Sequence, residues 1–102
     1  MKTETNKILG LLGMAKRAGF IVQGFDAAVK AAADKKAVLV LAAEDVSEKT
    51  KKEWTYSTKD FPLTALPFSK EIVGKALGAA KPVGLIALCD DGFAAAVLKH
   101  LS

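Results

Sequence analysis

The chain has one cysteine, Cys89, and one histidine, His100, in 102 residues. A lone cysteine excludes an intrachain disulfide and a cysteine-based metal cluster. A lone histidine leaves no histidine set for a metal ion, so no metal site is expected. Long apolar runs are also missing. The longest unbroken one, residues 37–43, falls far short of the roughly 20 residues a membrane helix needs. The first apolar stretch, residues 8–12, follows Glu4 and is soon broken by Lys16 and Arg17, which does not suit a signal peptide. Together these absences predict a cytoplasmic protein with no membrane partner. Phosphate-loop and dinucleotide signatures are absent too, because Gly10, Gly13, Gly19 and Gly24 lack the spacing those sites require. No cofactor is expected.

What remains is a globular composition, with 51% hydrophobic and 25% charged residues. Disordered and low-complexity classes are excluded, and residues 1–102 read as a single domain. The charge is unevenly placed. Residues 1–36 hold seven Lys/Arg and three acids, a net of +4, whereas residues 37–102 hold eight of each. A localised positive excess suits a polyanionic partner, though a basic and unspecialised surface would look the same.

Helix and strand patterns alternate along the chain. Ile8, Leu11, Leu12 and Ala15 have helical spacing, ended by Lys16-Arg17-Ala18-Gly19. Residues 20–22 read as a short strand, and Gly24 opens a second helix. Residues 37–42 have the near-continuous apolar character of a strand covered on both faces. Ser47 can cap a third helix, residues 61–66 supply a strand, and Ser69 caps a fourth helix ended by Gly78. Residues 83–89 form a buried strand, and Asp90 or Asp91 caps a last helix. This alternation predicts an α/β fold, a three-layer α/β/α sandwich with a mixed four-stranded sheet. Gly10 and Gly13 fall inside the first helix, where they are expected to admit a close neighbour.

Enzyme chemistry is hard to assemble. His100 sits near the C-terminus with no nucleophile at a matching spacing, and reads as a solvated residue suited to the helix dipole. Cys89 ends an apolar strand before Asp90, whose charge would raise a thiol pKa. Glu44-Asp45 and Asp90-Asp91 each follow a buried strand, where open α/β sheets place ligands. Adjacent residues point in different directions, though, and each pair precedes a helix start, so turn and cap chemistry is the favoured reading. The catalytic assignment is therefore none, and the chain is read as non-enzymatic.

The second helix carries the informative constellation. Gly24 stands at its start, where free N–H groups and the dipole favour an anion, and Lys30 follows past the small Ala27 and Ala28. Lys30 is exposed if Val29 and Ala33 face the core. This arrangement suits a phosphate or the acceptor edge of a guanine, though a solvated lysine on an ordinary helix fits it too. Ser69-Lys70, Gly78-Ala79-Ala80-Lys81-Pro82 and Lys16-Arg17 repeat the theme. The reading requires all of them to meet at one edge of the sheet.

Residues 6–19, Gly24 with Lys30, residues 39–45 and residues 68–78, taken in order, resemble small ribosomal proteins of the L-seven-Ae and L-thirty-e group. Within it the chain is similar to the bacterial YlxQ-like branch. The resemblance implies an α/β/α sandwich that binds kink-turn RNA, a sharply bent internal loop with tandem G·A pairs, with ribosomal RNA or another ribonucleoprotein as partner. It implies RNA contacts at Gly24, Asp26, Ala27, Lys30 and Lys70. It adds Ala79, Ala80 and Lys81 in a loop over an extruded nucleotide; Lys16 and Arg17 supply phosphate contacts. The pattern departs at Asp26-Ala27, where strong kink-turn binders carry Asn-Glu. Asp26 cannot donate to a guanine acceptor and Ala27 has no polar group, so recognition would lean on phosphates and RNA shape. Two rivals stand beside this reading. One is a protein-interaction module that kept the fold and lost RNA binding. The other is a small enzyme acting on a phosphorylated ligand at Glu44-Asp45 or at the second helix.

Overall fold

The computed structural model describes residues 2–101, with side chains from Lys7 to Leu101. Its elements are α1 (Lys2–Arg17), β1 (Ile21–Gln23), α2 (Phe25–Ala33), β2 (Leu39–Ala42), α3 (Glu48–Thr58), β3 (Thr64–Ala65), α4 (Lys70–Ala76), β4 (Leu85–Leu88) and α5 (Asp91–Leu101). The sheet order is β1-β4-β2-β3. β4 runs antiparallel to both β1 and β2, whereas β2 and β3 are parallel, so the sheet is mixed as expected. β2 and β4 lie at its centre and are buried along their full length. Their side chains are apolar on both sides because helices cover both faces. α2 packs on β1 and β4 and against α3, while α1 packs against β1, α4 and α5. The core joins Leu12 and Ile8 of α1 to Val40, Leu41, Ile86 and Leu88 of the sheet, and to Trp54 of α3. Among the described residues no helix is long and apolar enough to cross a membrane.

Several boundaries differ from the sequence reading, each for a local reason. The strand expected over residues 61–66 shrinks to Thr64–Ala65. Pro62 has no N–H to give, and Phe61 is claimed by α3. Its carbonyl accepts from Trp54 Nε1 at 2.7 Å and its N–H donates to Thr58 Oγ1 at 3.2 Å. The strand expected from residue 37 starts at Leu39, because Lys36 and Ala37 both donate to Ala31 O and finish the turn after α2. Phe20 stays outside β1, though its carbonyl accepts from Cys89 N at 2.8 Å and its ring lies 6.0 Å from Phe93. On α2 the core-facing residues are Ala28 and Ala31 rather than Val29 and Ala33; Val29 is half-buried and Ala33 exposed.

The two glycines of α1 do different things. A Cβ on Gly13 would meet Ala76 O of α4 at 3.2 Å, so that position does admit a close neighbour. A Cβ on Gly10 would meet nothing within 4 Å, so no packing constraint acts there. The strongest case is Gly74, buried in α4, whose Cβ would lie 2.6 Å from Lys81 O.

Candidate nucleic-acid interface

α2 is positioned by its first residue. Gly24 has φ 98° and ψ 158°, a left-handed conformation that side chains rarely adopt. Its N–H donates to Leu85 O of β4 at 2.8 Å, which ties the helix start to the sheet. Gly24 supplies no side-chain cap. A Cβ there would meet nothing within 4 Å, so the space in front of the helix start is open. The helix dipole therefore presents its positive end to solvent.

Lys70 comes to the same place from α4. Ser69 Oγ accepts from Ile72 N at 3.2 Å, and Asp45 Oδ1 accepts from Lys70 N at 2.8 Å. Ser69 and Asp45 thus cap α4 jointly, so Asp45 serves a helix distant in sequence, while α3, the helix start that Glu44-Asp45 precedes, is capped by Ser47. Asp90 does the same for α5 through Phe93 N at 2.9 Å, which decides between Asp90 and Asp91. The stem of Lys70 lies over Gly84, where an added Cβ would meet Lys70 Cδ at 3.3 Å. Gly24, Lys70 and Gly84, with Ser47 and Thr50 at the start of α3, line a concavity of about 220 Å³.

A second concavity of about 380 Å³ shares Gly24 and Gly84 with the first. Its other wall is the loop with Ala79, Ala80, Lys81 and Pro82, and Gln23 closes one end. That loop is held against α4 at Gly74, whose carbonyl accepts from Ala79 N at 2.8 Å. Lys16 is half-buried and donates to Gln23 Oε1 at 3.0 Å, which brings it to the rim.

So Gly24, Lys70, Ala79, Ala80 and Lys81, with Lys16 at the edge, gather from four segments of the chain at one end of the sheet. Asp26, Ala27 and Lys30 lie on the exposed side of α2 beyond Gly24. Lys30 donates to Asp34 Oδ2 at 3.2 Å in an exposed pair. With Lys preceding Asp at i,i+4, that pair runs against the helix dipole and contributes only a few tenths of a kcal/mol, so Lys30 is free to exchange it for a phosphate. Arg17 is not drawn into the concavity; its guanidinium turns back over Gly13. Sequence reasoning missed Gln23, Thr50, Gly74 and Gly84. Only their contacts across the fold mark them, and no local pattern does.

The other candidates of the sequence resolve differently. His100 is half-buried rather than solvated and lines a groove with Leu11, Met14 and Ala96, because α5 packs along α1. Burial raises the Cys89 thiol pKa, and the charge of Lys36 opposes this; Asp90 is not the cause. Among the described residues no three His, Cys, Asp or Glu side chains come together as a metal site.

The site thus combines an uncapped helix start, two concavities that share Gly24 and Gly84, and lysines from separate elements of an α/β/α fold. The chain belongs to the ribosomal protein L7Ae/L30e/S12e/Gadd45 family, whose profile matches residues 6–98. It is 33% identical over 92 residues to the RNA-binding protein YlxQ of Bacillus subtilis (strain 168), covering 89% of this chain and 91% of that one. It is 30% identical over 89 residues to the RNA-binding protein YlxQ of Enterococcus faecium, covering 86% and 84%. A structure of a protein with unknown function from Bacillus halodurans C superposes with a TM-score of 0.78 at 28% identity, covering 93% and 96%. The Giardia lamblia 15.5kD RNA binding protein shares the fold, with a TM-score of 0.72 at 20% identity, covering 97% and 85%.

Proposed function

We propose that this protein binds structured RNA without acting on it chemically, seating a kink-turn-like bend against the start of α2. The single observation that carries the reading is the convergence of Gly24, Lys70 and the 79–81 loop on two concavities that share Gly24 and Gly84. The open helix start takes a phosphate at the bend. Lys70 and Lys81 neutralise phosphates on either side, and Ala79 and Ala80 give an unpaired base an apolar rest. Lys30 reaches a guanine edge from the exposed side of α2, with Lys16 contributing at the rim. Membership of the family and likeness to two proteins called RNA-binding support an RNA partner. Ribosomal RNA in the cytoplasm is the target such a site suits.

Asp26 and Ala27 favour a second reading, a protein-interaction module that kept the fold. The deciding experiment is a gel shift, at stated salt, with a kink-turn RNA and with the same RNA whose G·A pairs are replaced by Watson–Crick pairs. Kink-turn binding requires a clear preference for the first, reduced in Lys30→Ala, while Lys70→Ala and Lys81→Ala weaken binding of both RNAs. Equal and weak binding of both RNAs by parent and variants supports the interaction module instead.

A further inference from the structure

We propose that the solvent face of α3 is a second RNA contact, one that takes unpaired nucleotides running out of the bound bend. The inference rests on the RNA-binding reading above and extends it to a helix that no motif in the sequence singles out. Lys49, Lys52, Tyr56 and Lys59 follow at spacings of three, four and three, so they share one face of α3 and its C-terminal cap. Trp54 is buried on the opposite face and anchors the helix to the core. Tyr56 is 89% exposed, the most exposed of the large apolar side chains, and it packs on no other ring.

The charge on this face is uncommitted. Lys51 is tied to Glu48 at 3.3 Å, but no ion pair holds Lys49, Lys52 or Lys59 among the described residues. Glu53 lies to the side of the stripe. Lys52 and Tyr56 line a shallow hollow of about 590 Å³ together with Lys51, Thr55, Glu48 and Asp60. Glu48 is already paired with Lys51, which leaves Asp60 as the acid of the hollow with no ion pair among the described residues. Cations beside a bare aromatic ring are the chemistry of single-stranded nucleic acid, in which phosphates meet lysines and a base stacks on the ring. The occupant can arrive from the first site by passing round the start of α3, because Ser47 and Thr50 there line the concavity with Gly24 and Lys70, and Lys49 is the first residue of the stripe beyond them. From Lys49 to Lys59 the helix advances about 15 Å, enough for a few nucleotides.

The test uses the full chain and three probes: a blunt kink-turn RNA, the same RNA with a 3′ tail of about six uridines, and the uridine oligomer alone. Tyr56 is the only tyrosine, so 3-fluorotyrosine gives a single 19F signal that reports on this face. The tail is expected to tighten binding about fivefold or more and to move the 19F signal. It should also steepen the salt dependence by about two units, as three lysines on a single strand require. Tyr56→Ala, and Lys49→Ala with Lys52→Ala and Lys59→Ala, should abolish the gain and leave blunt-RNA affinity unchanged, while Tyr56→Phe keeps it. No gain from the tail, or a gain that survives Tyr56→Ala, overturns the proposal. So does a signal that responds to phosphatidylserine vesicles or an acidic peptide and not to the tail. If blunt RNA fails to bind but the oligomer still moves the signal, the α3 contact stands and the kink-turn reading falls.

Discussion

Gly74→Ala is the substitution that most directly tests how the interface is built. In an exposed helix, glycine to alanine is favourable by about 1 kcal/mol, because alanine loses less backbone entropy on folding. At residue 74 a methyl group would sit 2.6 Å from Lys81 O and 3.3 Å from Pro82 Cα. Both are backbone atoms and cannot rotate away. The 81–82 segment must retreat by roughly half an ångström or more, and overpacking of this kind costs about 1–3 kcal/mol. The obstacle is rigid backbone, which places the cost in the upper part of that range, so the net expectation is a loss of about 1–2 kcal/mol. In a domain of this size each kcal/mol lowers the melting temperature by about 4–8 °C.

Gly10→Ala is the matched control, since a Cβ there meets nothing within 4 Å. It should stabilise by about 0.5–1 kcal/mol. Gly13→Ala, with its contact at 3.2 Å, should fall between the two. Urea unfolding of the three variants measures this order. The functional consequence is separable, because displacing the loop shifts Ala79, Ala80 and Lys81 relative to Gly24, with which they line one concavity. Gly74→Ala should weaken RNA binding even at temperatures where it is fully folded, and Gly10→Ala should not. A Gly74→Ala protein stabilised as much as Gly10→Ala would refute the close approach of α4 to the loop.

Four further outcomes follow from particular contacts. Lys30→Ala should leave stability almost unchanged and weaken kink-turn binding by about 1–3 kcal/mol if the lysine reads a guanine edge, with the loss smaller when the G·A pairs are replaced; gel shifts on both RNAs check this. Asp26→Asn should tighten kink-turn binding by about 1 kcal/mol and slightly lower the melting temperature, since an acid in the first turn suits the helix dipole; unchanged or weaker binding removes Asp26 from the interface. Lys16, Lys70 and Lys81, each meeting a phosphate, should give log K against log[salt] a slope of about −2 to −3, and Lys70→Ala should flatten it by about one unit. Burial raises the Cys89 thiol pKa, so its thiolate costs more in the folded chain. Stability should begin to fall as pH rises past the thiol's unfolded value of about 8.5 and level off once the folded thiol ionises; Cys89→Ser should flatten that part of a urea-midpoint profile against pH.

The fold was legible in the sequence because its elements carry local signatures. Ser47 and Ser69 cap their helices as read, accepting from Thr50 N and Ile72 N. The apolar runs around Val40 and Ile86 are the two central strands. Less legible were the features set by contacts between distant segments. That β4 lies between β1 and β2 follows from which runs bury each other, and no single run records it. The strand at 61–66 was overestimated because α3, in competing for Phe61, uses hydrogen bonds that a propensity argument assigns to the sheet. Gly74 and Gly84 look like tolerated glycines in sequence. Each admits a segment that sequence places elsewhere, the 81–82 loop in one case and the Lys70 stem in the other.

Charge shows the same division between local and assembled information. Counted along the chain, the positive excess lies in residues 1–36, and the remainder is neutral. Yet Lys70 and Lys81, which line the concavities, come from the neutral part. The count misleads because several acids are already engaged, and where they are engaged matters more than how many there are. Asp45 is spent on the N–H of Lys70 and Asp90 on that of Phe93. Glu48 and Glu71 pair within their own helices with Lys51 and Lys75. Capping carboxylates lie against helix N-termini, where the backbone dipole offsets much of their field. Among the described lysines left without an ion pair are Lys70 and Lys81, which line the concavities at this end of the sheet. The balance a polyanion meets at this end of the sheet is therefore set by which acids the fold has engaged, and not by the zero net charge of residues 37–102.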